Sequence, residues 1–218
     1  MSASGSDKIS WRHLKSILKQ DNCLYNLINI ANSCILLGHW PTHFKLSSII
    51  IILKPNKLSY NHSKSFWLIV LLNTFGKLIK KVIAKRLQFY VTKNDFIYLS
   101  QLGGLKFKST VDMGVTLMHI IQSGWIKNKT TSILAFDISQ FFPTLNHHIL
   151  TLILKKAGLD PKVTVFFADY LVRRKTNYVW NNLSSPMHKV NVGVSHGSAL
   201  SPILFALYLS SLLYILEN

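Results

Sequence analysis

Apolar positions along this chain recur first with a helical period and later in short unbroken runs. Ile9, Trp11, Leu14, Ile17 and Leu18 form a helical stripe over residues 9–19, and 22–37 reads as a second helix stopped by Gly38. The β-branched run "SSIIIIL" (47–53) predicts a strand that ends in the basic loop Lys54-Pro55-Asn56-Lys57. From about Asn73 to Tyr90 the period is strong. Phe75, Leu78, Ile79, Val82, Ile83 and Leu87 oppose Lys77, Lys80, Lys81, Lys85 and Arg86, so one face packs and the other is a line of positive charge.

A loop with two glycines and two lysines, "QLGGLKFKST" (101–110), precedes a helix over 111–124. Residues 132–138 predict a strand, and 146–157 a helix capped by Gly158. Asp160-Pro161 opens another helix, which ends in the basic cluster Arg173, Arg174 and Lys175. Two β-like runs, 176–180 and 188–194, flank "NNLSSP" and predict a hairpin. The segment "ALSPILFALYLSSLLYIL" (199–216) is nearly uncharged, with Ser201 as N-cap and Pro202 as first helical residue. The roughly 16 helical residues that remain span about 24 Å, short of a ~30 Å hydrocarbon core, so a buried helix is expected and no membrane partner. Helices first, then alternating strands and helices, predict an α+β domain with a sheet covered by helices.

Charge changes this picture. The 218 residues carry 25 Lys and Arg against 8 Asp and Glu, a net charge of +17. Such an excess repels itself unless a polyanion is near, which makes nucleic acid the leading partner. The positives are spread along the chain, which suits a groove better than a tail. Cys23 and Cys34 lie in apolar surroundings and suggest a reducing, intracellular compartment, nuclear or cytoplasmic. The first ten residues lack the apolar core of a secretion signal.

Against so many cations, Asp137 in "AFDISQFFPTLNH" (135–147) is an isolated acid behind an apolar run. A carboxylate there should meet a cation or solvent at the strand end. On position alone, a capping or salt-bridged Asp and a magnesium ligand are both open readings. On position alone, Phe142 reads as a core aromatic at a strand–helix junction.

The order of motifs resembles the reverse transcriptase domain of non-LTR retrotransposons, across nearly the whole chain. "DKISWRHLK" (7–15) is similar to the family's "D-x-I-x-x-x-x-L-K", and "IIIILKPNK" (49–57) to "I-x-K-P-x-K". Residues 65–87 correspond to "S-x-R-P-I-x-L-L-x-x-x-x-K-L-x-E-x-x-x-x-x-R-L", and 101–110 to "Q-x-G-F-x-x-x-x-S-T". "AFDISQFFPTLNH" looks like motif A and "GVSHGSALSPILFALYLS" (193–210) like motif B.

The resemblance implies right-hand polymerase architecture, with residues 1–130 fingers-like and 131–218 a partial palm. It implies two-metal nucleotidyl transfer onto a DNA primer, with RNA template, deoxynucleotide triphosphate and Mg²⁺. Asp137 would be the motif A carboxylate that binds metal, and Ile138 would lend its backbone to the phosphates. Phe142 would lie under the sugar and favour deoxynucleotides. Lys54 and Lys57 would approach the triphosphate, and His196 and Gly197 occupy the family's Gln-Gly beside template and nucleotide. Lys106, Lys108, Arg173, Arg174 and Lys175 are the nucleic-acid-binding candidates.

Departures from the pattern temper these expectations. Trp67-Leu68 replaces Arg-Pro, and an indole offers no charge-assisted hydrogen bonds. His196 replaces Gln, with one donor and one acceptor where an amide has two donors. No Asp-Asp pair occurs in the sequence, so motif C, aromatic-x-Asp-Asp, is not reached. The expectation is a polymerase piece truncated before motif C, inactive and poorly soluble alone. A non-catalytic RNA/DNA-binding module and an inert decayed element are the alternatives.

Overall fold

The computed structural model describes residues 3–5, 7–105, 108–181 and 183–217. Two N-terminal helices, α1 (Trp11–Ile17) and α2 (Asp21–Leu36), lead into strand β1 (Leu46–Leu53). β1 pairs antiparallel with β2 (Phe66–Leu72), from Ser47 opposite Leu72 to Leu53 opposite Phe66. β2 lies in "SFWLIVLL", where no strand is expected from the pattern; its continuous apolar run finds a partner in β1.

Helix α3 (Thr74–Lys93) follows directly, its first turn fixed by Asn73, whose side chain accepts from the N–H groups of Phe75 and Gly76. Asp7 accepts from Thr74 N–H at 3.3 Å, which ties the N-terminus to that same turn. Helix α4 (Thr110–Ile126) carries a capping box between Ser109 and Asp112. The short turn α5 (Phe141–Thr144) leads to α6 (His147–Lys156) and α7 (Pro161–Leu171), capped by Asn146 and Asp160. Gly158, at φ +63°, ends α6 where a side chain would strain the backbone.

Strand β3 (Arg174–Trp180) returns to the sheet parallel to β1, and β4 (Leu183–Ser184) and β5 (His188–Val190) both pair antiparallel with it. The expected hairpin therefore forms, with β5 shorter than the 188–194 run. The strand order is β2-β1-β3-β4, with β5 also on β3. Helix α8 (Ser201–Glu217) closes the described chain.

Helices α3, α6, α7 and α8 supply the core, with Ile79, Ile83, Leu150, Leu154, Phe166, Phe167, Leu204 and Leu207 buried together. Burial of α8 along Ile203–Leu207 matches the buried-helix expectation, and among the described residues no helix is long and apolar enough to cross a membrane. Sheet and core both draw on residues before and after position 130, since β1 pairs with β3.

Three expectations are corrected. Residues 132–138 form no strand: they run as coil with Leu134 78% and Phe136 84% exposed. An apolar run becomes a strand only beside an edge that accepts its hydrogen bonds, and no described strand pairs with it. Helix α4 forms as expected yet buries none of its side chains, so the whole stretch 110–138 is weakly packed. Lys80 does not belong to the charged face of α3; it is 2% exposed, whereas Val82, expected inside, is exposed.

Candidate functional site

Two loops meet at one end of the sheet. The N–H of Gly193 donates to the Leu145 carbonyl at 2.8 Å, and that of Val194 to the Phe142 carbonyl at 2.7 Å. These bonds join the turn after Asp137 to the loop before α8. Gly193 has φ +72°, and a Cβ there would stand 2.3 Å from the Pro143 carbonyl oxygen. Only glycine lets the strands of backbone come this close.

This junction sets the Phe142 ring 5.1 Å from the His196 ring, tilted 58°. Phe205 of α8 lies 5.5 Å from Phe142 and 4.7 Å from Phe141, and backs the pair. His196 is at the surface, and its partial burial lowers its pKa, so the imidazole is neutral at neutral pH. Gly197 makes a close approach to the protein itself: a Cβ there would stand 2.8 Å from the Val70 carbonyl oxygen of β2.

Between the sheet and this loop lies a groove of about 340 Å³. Ile49, Leu68 and Val70 floor it, Pro143 and His196 stand at one wall, and Lys189 at another. Leu68 lines the groove, so Trp67, its neighbour along the strand, projects from the opposite face of the sheet, 49% exposed. Asp137, Ile138, Lys54 and Lys57 are not among the lining residues.

The basic candidates divide by what already holds them. The Lys54 ammonium donates to the Lys64 carbonyl at 2.7 Å, which folds it onto its own loop. Lys57 is exposed. Lys108 donates to the carbonyls of Leu99 and Gln101, both at 3.3 Å. Lys106 lies outside the described residues. Arg173 pairs with Asp169 one turn earlier, and Lys175 is exposed on β3.

Arg174, expected to bind nucleic acid, is corrected to a structural role. It is 7% exposed and donates to the carbonyls of Leu171 at 3.0 Å, Val192 at 2.9 Å, and Gly193. Strand alternation turns it inward, while Lys175 points out. Its guanidinium thus holds the loop that carries His196.

Asp137 stands on the exposed coil before α5, with no hydrogen bond or ion pair to a described residue. Four other carboxylates are committed elsewhere: Asp7 and Asp112 to helix starts, Asp160 to α7, and Asp169 to Trp40, Lys45 and Arg173. Among the described residues no group of three or more His, Cys, Asp or Glu could hold a metal ion. A carboxylate outside any such group does not make a two-ion centre, so these residues on their own do not fit a magnesium pair.

The pattern reading missed Lys80 as a buried group. The available signal was position 80 itself, where the pattern quoted for residues 65–87 has Glu. The ammonium lies 5.8 Å from the Trp40 ring and 5.9 Å from the Tyr170 ring. Burial, with Lys77 and Arg174 adding repulsion, lowers its pKa to about 7.

A family model described as reverse transcriptase (RNA-dependent DNA polymerase) matches residues 52–218. A probable RNA-directed DNA polymerase from transposon BS of Drosophila melanogaster is 29% identical over 184 residues, covering 84% of this chain and 20% of the relative. A probable RNA-directed DNA polymerase from the X-element of the same organism is 26% identical over 206 residues, covering 94% and 22%. A Pol polyprotein from the type-1 retrotransposable element R2 of Popillia japonica is 25% identical over 193 residues, covering 87% and 26%. The chain thus spans about a fifth to a quarter of the length of these curated relatives. The resemblance read from the motifs holds, and the chain belongs to the reverse transcriptase (RNA-dependent DNA polymerase) family.

Proposed function

We propose that this chain is the fingers and part of the palm of a non-LTR retrotransposon RNA-directed DNA polymerase. Residues 1–130 would be fingers-like and 131–218 the palm portion that carries motifs A and B. The observation that carries this reading is the contact of Phe142 with His196, which lines the sheet groove, with ring centroids 5.1 Å apart. Two motifs separated by about fifty residues converge there, on the residues that the family resemblance assigns to the incoming nucleotide.

The chemistry of the groove suits a nucleoside. Phe142 offers an aromatic face for a sugar, and neutral His196 one donor and one acceptor for a base edge. Lys189 in the groove, and the exposed Lys57 and Lys175 outside it, offer phosphates a charge without sequence preference. RNA template, DNA primer and deoxynucleotide triphosphate are the proposed partners.

Nucleotidyl transfer in this family draws on Mg²⁺, and Asp137 is the proposed ligand. With one carboxylate the 218-residue polypeptide holds primer–template but does not extend it. The test is incubation of the purified chain with an RNA template annealed to a DNA primer, Mg²⁺ and deoxynucleotides. Retarded primer–template without elongation is expected; elongation, or no retardation at low salt, would overturn the reading.

A further inference from the structure

Next to the groove, a small, partly enclosed cavity of about 30 Å³ is lined by Trp40, Lys45, Lys80, Tyr170 and Arg174, with Ser47 and Ser195. Three of these side chains are cationic. None of the lining residues is acidic.

Lys80 is fully buried and makes no hydrogen bond or ion pair with a described residue; two aromatic rings are its nearest favourable contacts. Trp40 is likewise fully buried, and its indole Nε1 has no acceptor among the described residues. Trp40 Nε1 is thus a buried donor without an acceptor, and Lys80 a buried cation without an anion, a costly combination that native interiors avoid.

The one carboxylate nearby is already taken. Asp169 Oδ2 accepts from the Trp40 backbone N–H at 2.7 Å and pairs with Lys45 at 3.0 Å, while its Oδ1 holds Arg173. It offers Lys80 no ion pair. The Arg174 guanidinium bonds to backbone carbonyls, which leaves its charge without a counter-charge.

We propose that this cavity binds a single monatomic anion, a halide such as chloride. The ion accepts from the Lys80 ammonium and the Trp40 indole N–H, and its charge offsets the repulsion between Lys80 and Arg174. The small volume favours a monatomic ion over phosphate, sulfate or a carboxylate. Ser47, Arg174, Val190 and Ser195 line both this cavity and the groove that would take nucleotide, but the two donors proposed for the ion, Lys80 and Trp40, line the cavity alone.

The experiment is thermal unfolding of the 218-residue chain below neutral pH, with chloride replacing gluconate at constant ionic strength. A saturable rise in Tm of roughly 2–4 °C is expected for the unaltered chain. Lys80→Met removes the charge and should abolish the response. Bromide in place of chloride should give one anomalous scattering peak between Lys80 and Trp40 in crystals of the unaltered chain, whatever the variant does. An equal halide response in Lys80→Met, no response in the unaltered chain, or no bromide peak in the cavity would overturn the proposal, the cavity then holding water against a neutral amine.

Discussion

The ring of Phe142 rests 5.1 Å from that of His196, although 53 residues separate them in sequence. Two backbone hydrogen bonds, Val194 to Phe142 and Gly193 to Leu145, hold the loops that carry them. The contact follows from a glycine, a buried arginine and an aromatic wedge, and each can be tested separately.

Gly193→Ala should be among the most damaging small substitutions in the chain. The added Cβ would meet the Pro143 carbonyl oxygen and force an alanine to φ +72°. A loss of about 1–3 kcal/mol is expected in urea unfolding, with the m-value unchanged. Gly103→Ala is the control, because nothing stands within 4 Å of its Cβ.

Arg174→Ala and Lys175→Ala should differ in kind. Loss of Arg174 leaves the carbonyls of Leu171, Val192 and Gly193 without their donor, and about 2–4 kcal/mol of stability should go with it. Lys175 is exposed, so its loss should leave the melting curve nearly unchanged. If it contacts a phosphate, the slope of log K against log salt falls in magnitude by about one. Paired melting and binding curves separate the two residues.

Stability should rise with pH above neutrality because of Lys80. Burial, then Lys77 and Arg174, lower its pKa in the folded chain to about 7, while in the unfolded chain it keeps the ordinary lysine value. Above about pH 7 the unfolded state therefore binds more protons, and raising the pH favours folding. Below 7 both states are protonated and this contribution is flat. Lys45 and Tyr170 also face the site: burial lowers the first and raises the second, so they act at the alkaline end. Urea midpoints between about pH 7 and 9 should climb in the unaltered chain and lose most of that climb in Lys80→Met.

The same residue marks what the amino-acid pattern could reveal. Helices at 22–37, 73–90, 146–157 and the final buried helix were legible because caps and a 3.6-residue period agree, as at Asn73, Asn146 and Asp160. Residues 132–138 were misread because a period-free apolar run names a strand only if an edge is present to pair with it. Lys80 was misread because a helical wheel assigns a face by polarity, and this ammonium sits between Trp40 and Tyr170. Arg174 was misread as one of a surface triplet, although strand alternation turns it alone of the three inward. The pairing of Phe142 with His196 was legible only through the family resemblance, since no periodicity links positions so far apart.

His196→Ala should leave the fold intact and weaken nucleotide capture. The side chain is exposed and its ring contact is with Phe142 alone, so the melting curve should shift little. Binding of a deoxynucleotide triphosphate to the chain–primer–template complex should weaken several-fold, about 1 kcal/mol, as expected for one lost hydrogen bond. Isothermal titration with both proteins at one salt concentration reads this directly.

The most direct test of the central reading is binding of an RNA–DNA hybrid across a salt series, followed by fluorescence anisotropy. If the chain carries the template-gripping part of a polymerase, log K falls linearly with log salt, with a slope of several units that drops when Lys57 and Lys175 are both replaced by alanine. A flat salt dependence, or a slope indifferent to those two lysines, would contradict the assignment of this basic surface to nucleic acid.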